Sequence, residues 1–156
     1  MKNFTLWAAA LPLALLSQAP ALGQGTQGGT SLSGSRNASI TPVYHHALPG
    51  IPGKSLKGVL VEYGPGGFSP SHRHAKSAII CATVLEGEVR CQINGSTVRT
   101  YRADENWADL PGDHHQVSAN ASATRPAKVL AVFVVDDSDG ALTIRTSDRL
   151  GAQAFL

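Results

Sequence analysis

From residue 40 onward, turn-forming residues interrupt the chain at short intervals, and this spacing constrains the fold more than any other feature. Pairs such as Pro49-Gly50, Asn94-Gly95 and Asp139-Gly140 separate runs of β-branched and apolar residues that recur about every 8–12 residues. No twelve-residue stretch in this region has the 3.6-residue apolar period of an amphipathic helix. The sequence therefore predicts an all-β, antiparallel fold and disfavours parallel βαβ folds with dinucleotide sites.

Ten strands are predicted, near residues 40–47, 56–63, 68–74, 78–85, 88–93, 97–102, 105–110, 114–119, 128–135 and 141–146. Val89, Cys91 and Ile93 alternate with polar residues, which indicates one buried and one exposed face. Residues 129–135 are apolar at every position, which predicts a strand covered on both sides. A sandwich or barrel of antiparallel strands accommodates both patterns.

The N-terminal residues lack this pattern. Lys2 precedes an apolar stretch, residues 4–16, which is followed by small residues around Ala19 and Ala21. This order is typical of a secretory signal peptide, here residues 1–21, and predicts a secreted or periplasmic protein. The stretch is too short to cross ~30 Å of hydrocarbon, so we expect no stable membrane anchor. Residues 22–39 are predicted to be a flexible lead, residues 40–146 a β-barrel and residues 147–156 a C-terminal tail.

Length and charge limit the functions to consider. The 156 residues correspond to one domain. Thirteen Lys and Arg against eleven Asp and Glu leave a net charge of +2. Since charge-driven nucleic-acid binding needs a clear basic excess, no nucleic-acid partner is expected.

Export would allow two covalent modifications. Cys81 and Cys91 are equally distant from Glu86, so a hairpin centred there would allow a disulfide bond; two buried free thiols are the alternative. The sequons at Asn37, Asn94 and Asn120 allow N-glycosylation if the host is a eukaryote.

All six histidines lie in three clusters: His45-His46, His72-Arg73-His74 and His114-His115. Residues i and i+2 of a strand project to the same face, so His72 and His74 can present two imidazoles to one point. His115 follows a tight turn and is the best third ligand for a divalent ion with open coordination positions. For an H-x-H pattern by itself, a polar surface pair or a hydrogen-bonded core pair is the alternative.

Two segments resemble the motifs of the cupin superfamily. Residues 66–87, which include Gly66, His72, His74 and Gly87, resemble the first motif, G-x5-H-x-H-x3,4-E-x6-G. Residues 104–120, which include His115, resemble the second motif, G-x5-P-x-G-x2-H-x3-N. The resemblance implies a small single-domain jelly-roll β-barrel of the conserved-barrel type, with a metal site inside its mouth. It also implies a homodimer.

The glutamate of the first motif is missing. Counting along the motif places it at Ala78, Ile79 or Ile80, none of which is acidic. The second motif also departs from the pattern, with Asp104 in place of glycine and Leu110 in place of proline. The resemblance therefore implies a three-histidine site for Fe, Mn, Zn or Ni.

Two further residues are candidates for the site. Asp113 is predicted either to accept a hydrogen bond from a ligand's free ring N–H or only to shape its turn. Trp107 is predicted to line the pocket or to pack in the core.

The leading hypothesis is an exported metal-dependent oxidoreductase, similar to cupin dioxygenases, that acts on a small oxygenated organic molecule. A role in natural-product biosynthesis follows only by family analogy. The alternatives are a non-catalytic cupin that binds a sugar, phenol or other metabolite, and a metal-dependent isomerase or cyclase. The sequence singles out no general base, so the catalytic residues stay unknown.

Overall fold

The computed structural model describes residues 35–146. Its ten strands are β1 (Arg36–Ala47), β2 (Lys54–Ser69), β3 (His72–His74), β4 (Ile79–Glu86), β5 (Glu88–Ile93), β6 (Arg99–Arg102), β7 (Asn106–Asp109), β8 (His114–Asn120), β9 (Ala127–Asp136) and β10 (Thr143–Arg145). The all-β prediction is confirmed. Within residues 35–146 we find no helix able to cross a membrane. The predicted signal peptide and C-terminal tail lie outside the described residues.

The strands form a nearly closed antiparallel barrel with two halves of five strands, as the jelly-roll prediction requires. One half has the order β1-β2-β9-β4-β7 and the other β6-β5-β8-β3-β10. Strand β2 belongs to both halves, because residues 54–63 pair with β9 and Phe68 and Ser69 pair with β8. The long β2 strand thus joins the two sheets.

Strand β2 continues through the glycine-rich segment at residues 64–67, where the sequence predicts a break between two strands. Gly66 has a φ of +65°, and its N–H donates a hydrogen bond to the Ser122 carbonyl at 2.9 Å. A Cβ atom at Gly67 would collide with the Asn37 carbonyl oxygen. The glycines therefore allow the strand to bend between the sheets without ending.

Strand β1 begins at Arg36, so residues 36–39 belong to the barrel and not to the predicted flexible lead. The register of β1 shifts between Arg36 and Ala38, where Asn37 has a φ of 47°. This irregularity leaves too few regularly alternating residues for sequence patterning to detect the start of the strand.

Two apolar clusters form the core. One surrounds Val84, Val89 and Trp107, and the other surrounds Ile80 and Phe133. Val61 and Ala131 pack against both clusters and line the cavity described below.

Strand β9 is buried on one side only, which corrects the prediction that it is covered on both. Its inner residues Val129, Phe133 and Val135 are buried, whereas Leu130 and Val132, which alternate with them, are half-buried. β9 is flanked by β2 and β4, so its backbone N–H and C=O groups are hydrogen-bonded to these strands, while its outer side chains remain partly accessible to solvent.

The predicted disulfide bond is absent, because Cys81 and Cys91 are both free thiols. Strand β4 pairs with β7 and β9, whereas β5 pairs with β6 and β8, so no hairpin forms around Glu86. At Gly87, between β4 and β5, the chain crosses from one half of the barrel to the other. Cys81 is consequently exposed on one sheet and Cys91 is buried in the other.

Candidate metal centre

The pairing of β3 with β8 brings the three candidate histidines together. His72 and His115 are direct partners in this antiparallel pair, and His74 lies two residues along on the same face as His72. All three side chains are buried. Each offers one ring nitrogen, and these nitrogens lie within 4.8 Å of one another. Three buried histidines at this separation could hold a metal ion.

Arg73 and His114, which adjoin the three candidate histidines in the sequence, face away from the point where those histidines meet. Arg73 and His114 are also cross-strand partners. The Arg73 guanidinium donates to the Gly112 carbonyl, and the His114 ring contacts the Ser71 and Thr146 hydroxyls. His45 and His46 are exposed on β1, where His45 contacts Ser55, and neither lines the cavity that the three histidines face.

Hydrogen bonds orient two of the three rings. His72 Nδ1 donates to the Pro70 carbonyl at 2.7 Å, which leaves Nε2 as the lone-pair nitrogen. His115 Nε2 lies 3.4 Å from the Cys91 sulfur. Both ring nitrogens of His74 are buried without any hydrogen-bond partner.

Asp109, which the sequence reasoning missed, also faces the histidines. Its carboxylate oxygens lie 3.6 Å from His74 Nε2 and 3.6 Å from His115 Nδ1. Oδ2 accepts a hydrogen bond from Trp107 Nε1 at 3.2 Å, whereas Oδ1 has no hydrogen-bond partner. The alternation of Trp107 and Asp109 on β7 was the signal that could have identified this carboxylate, since both residues face inward.

Burial keeps the histidines neutral. Desolvation lowers the pKa of His74 to about 3 and that of His115 to about 3, and it also lowers the pKa of His72. Neutral imidazole is the form that coordinates metal ions. Desolvation has the opposite effect on the acid and raises the pKa of Asp109 to about 6.

The unpartnered polar atoms fit a metal ion. Buried polar groups normally have partners, yet both nitrogens of His74 and one oxygen of Asp109 have none. Imidazole and carboxylate groups are suitable ligands for Fe, Mn, Zn and Ni ions. The residues present therefore match the cofactor that the sequence predicts.

The site opens onto a cavity of about 290 Å³. The three histidines, Asp109 and a few hydroxyl groups provide its polar lining. Most of the remaining wall is apolar and comprises Ile40, Pro42, Val59, Val61, Ile80, Ala82, Val129, Ala131 and Leu142. The volume is close to the lower end of the roughly 300–1,000 Å³ typical of ligand pockets, so the cavity is suited to a small molecule.

Of the two other candidate residues, Trp107 and Asp113, the structure places only Trp107 at the cavity. Trp107 lies in the cavity wall, with its ring centroid 6.1 Å from that of His115. Asp113 does not reach the histidine rings: its oxygens accept from Leu110 N–H and from the Asn94 side chain. Asp113 therefore shapes the turn before β8, and its predicted role behind a metal ligand is wrong.

The three sequons differ in accessibility. Asn120 is buried, and its amide nitrogen donates to the carbonyl oxygens of Gly64 and Arg125. It cannot carry a glycan in the folded protein, which corrects the prediction at this position. Asn37 and Asn94 are exposed, and their glycosylation stays a prediction.

Comparisons with known proteins agree with this fold. Residues 59–133 match the Cupin_2 family model, a cupin domain. The matched segment includes the three histidines and Asp109. No curated protein matches the sequence significantly.

Three solved structures illustrate the likeness. The cupin domain of Cnp3 from Schizosaccharomyces pombe has a TM-score of 0.53 and 16% identity, with 65% of this chain and 66% of that chain covered. An oxalate oxidase has a TM-score of 0.55 and 22% identity, with 80% and 63% covered. The polyketide cyclase RemF from Streptomyces resistomycificus has a TM-score of 0.53 and 15% identity, with 72% and 73% covered.

This chain spans just under two thirds of the first two of these structures. At such identities the likeness concerns the fold alone. Together with the family match over residues 59–133 and the barrel topology, it shows that the described barrel has the cupin fold.

Proposed function

We propose that this protein is a metal-dependent enzyme that holds a divalent ion through His72, His74 and His115 and acts on a small oxygenated organic molecule. One observation carries the proposal: three buried imidazoles have ring nitrogens within 4.8 Å of one another and line a mostly apolar cavity. A metal beside an apolar cavity suits a substrate with an apolar body and an oxygen donor at one end.

The residues of this chain have three roles in the proposal. Burial keeps the imidazoles neutral and available for coordination. The apolar wall excludes water and strengthens electrostatic interactions at the site. The Tyr63 hydroxyl, which contacts Ser69 at 2.9 Å and Ser118 at 2.8 Å, offers an ordered hydrogen-bonding group on the cavity wall. When bound, the ion would act as a Lewis acid toward a substrate oxygen and, if it is redox-active, supply electrons.

Oxidation or dioxygenation is the reaction class that we propose first. Among the described residues, Asp109 is the one carboxyl group in the cavity wall, and desolvation raises the pKa of the Tyr63 phenol above its usual value. Few groups are therefore available for the proton transfers of an isomerase or cyclase, which we place second. Solved cupin structures include both an oxalate oxidase and a polyketide cyclase, so the fold accommodates either chemistry.

The proposal also includes cellular context. The signal-like residues 1–21 support export. The family resemblance supports a homodimer, and the barrel has outer strands through which two copies could pair. A place in natural-product biosynthesis is proposed from family analogy alone.

Metal analysis of the purified chain tests the proposal. We expect a stoichiometric divalent ion in the wild type and its loss in His72→Ala and in His115→Ala. His45→Ala is the matched control, because His45 is exposed and does not line the cavity, and it should retain the ion. Oxygen uptake with phenols, aldehydes and diketones then tests the oxidative reaction.

A wild type that is stably folded but takes up no ion would contradict the enzyme proposal. That result would favour the non-catalytic alternative, in which the cavity binds a small molecule without converting it.

A further inference from the structure

The carboxylate of Asp109 enters the barrel from the strand next to β4. Asp109 and Ile80 are direct partners in the antiparallel pair of β7 with β4, so their side chains lie on the same face, with Cβ atoms about 4.5–5.5 Å apart. Both residues are 1% exposed. Ile80 is one of the positions at which the first sequence motif would place its glutamate. A carboxylate is therefore present beside this position, but on a different strand.

The distances from Asp109 to His74 and His115 exceed the length of a hydrogen bond and still allow the carboxylate and these two rings to share one ion. Both N···O separations are 3.6 Å, which is longer than the roughly 2.7–3.2 Å of an N–H···O hydrogen bond. Two ligand atoms that each lie about 2.0–2.2 Å from one ion are about 2.8–3.6 Å apart in octahedral or tetrahedral geometry. The observed separations lie at the upper end of that range.

The charge of Asp109 has no partner in the described part of the chain. Within residues 35–146 no lysine or arginine lies within ion-pair distance of Asp109, and the two imidazoles are its nearest basic groups. Its remaining contact is the hydrogen bond from Trp107, and Oδ1 is unsatisfied. A buried carboxylate without a cation is strongly unfavourable. A divalent ion would supply the missing positive charge.

We propose that Asp109 is a fourth, anionic ligand of the ion held by His72, His74 and His115, supplied from β7. This inference rests on the metal site of the proposed function. It changes the charge of the centre from +2, with three neutral imidazoles, to +1. As a consequence, the centre would attract anionic substrates less strongly than a site with histidines alone.

Cobalt binding to the full chain tests the role of Asp109 without any enzyme assay. The variants are Asp109→Asn, which has nearly the same shape, and Asp104→Asn, which removes the same charge from an exposed turn. For each protein, competition with a chelator gives the dissociation constant for Co²⁺, and the visible absorption spectrum reports the coordination environment. Urea unfolding of the metal-free proteins shows that each variant is folded.

We expect Asp109→Asn to weaken Co²⁺ binding by more than the roughly 10–100-fold caused by losing a hydrogen bond behind a ligand. Its Co²⁺ spectrum should also change, because the set of donor atoms changes. Asp104→Asn should match the wild type in both measurements.

Unchanged affinity and spectrum in Asp109→Asn would overturn the inference and leave the three-histidine site intact. Weaker binding with an unchanged spectrum would overturn it as well, because Asp109 would then only orient a histidine. A wild type that binds no Co²⁺ would instead contradict the metal site itself. If Asp109→Asn does not fold, Asp109→Ser, which removes the carboxylate, serves in its place, and unchanged Co²⁺ affinity and spectrum in that variant would overturn the inference.

Discussion

Asn120 is the residue that ties the end of β8 to two other segments. Its amide nitrogen donates to the Gly64 and Arg125 carbonyls at 2.9 and 2.7 Å, and its oxygen accepts from the Ser122 N–H at 2.8 Å. The side chain is buried, so water cannot replace these contacts when they are lost.

Asn120→Ala should therefore lower the free energy of unfolding by about 2–4 kcal/mol, since three hydrogen bonds of about 1 kcal/mol each are lost and buried groups are left unpaired. Urea unfolding measures the effect. Arg90→Ala, at an exposed position of the neighbouring strand β5, should change stability by no more than about 0.5 kcal/mol. Equal effects of the two substitutions would contradict the role assigned to Asn120.

At the scale of elements, Gly87 controls the passage from β4 to β5. Its φ is +73°, and an added Cβ would collide with the Pro126 carbonyl oxygen. Gly95 has the same φ of +73°, but nothing lies within 4 Å of its Cβ position. The two glycines thus share one backbone conformation and differ only in the free space around the Cβ position.

Gly95→Ala should cost about 1–2 kcal/mol, the penalty for a left-handed residue, and Gly87→Ala should cost clearly more because the β4–β5 crossing must also shift. Urea unfolding midpoints of both variants, compared with the wild type, measure the difference. Equal midpoints would indicate that the crossing tolerates a side chain at Gly87.

At the scale of the whole molecule, the buried histidines make stability depend on pH. The pKa values of His74 and His115 are about 3 in the folded protein and about 6.5 in an unfolded chain. Between these values the unfolded state binds more protons, so acidification favours unfolding. Asp109 has the opposite effect. Its pKa is 3.8 in an unfolded chain and about 6 in the folded protein, so between these values the folded state binds more protons and acidification favours folding.

For the metal-free chain in chelator, lowering the pH from 7 to 5 should cost about 2 kcal/mol for each of these two histidines, with about 1 kcal/mol returned by Asp109. Urea unfolding at both pH values gives the net loss. His74→Gln should reduce that loss, whereas His46→Gln, at an exposed position, should not. A metal-free wild type whose stability rose on acidification would contradict the burial of neutral imidazoles.

Only part of the site could be predicted from the sequence. The i, i+2 spacing of His72 and His74 already implied a shared face, and the nearby turn indicated His115 as the third residue. Asp109 was missed because its alternation with Trp107 on β7 indicates an inward-facing side chain but not which strand lies beside it. Its role depends on the pairing of β7 with β4, which places it beside Ile80.

The sequence by itself determined the β class, most strand positions and the shared face of His72 and His74, because side-chain alternation and turn chemistry are local properties of the chain. Only the tertiary structure decided that β4 and β5 lie in different halves, so that Cys81 and Cys91 stay apart, and that β2 continues through its glycines. It also decided which carboxylate faces the imidazoles. These features depend on which distant strands pair, and that choice is made by the packing of the whole barrel.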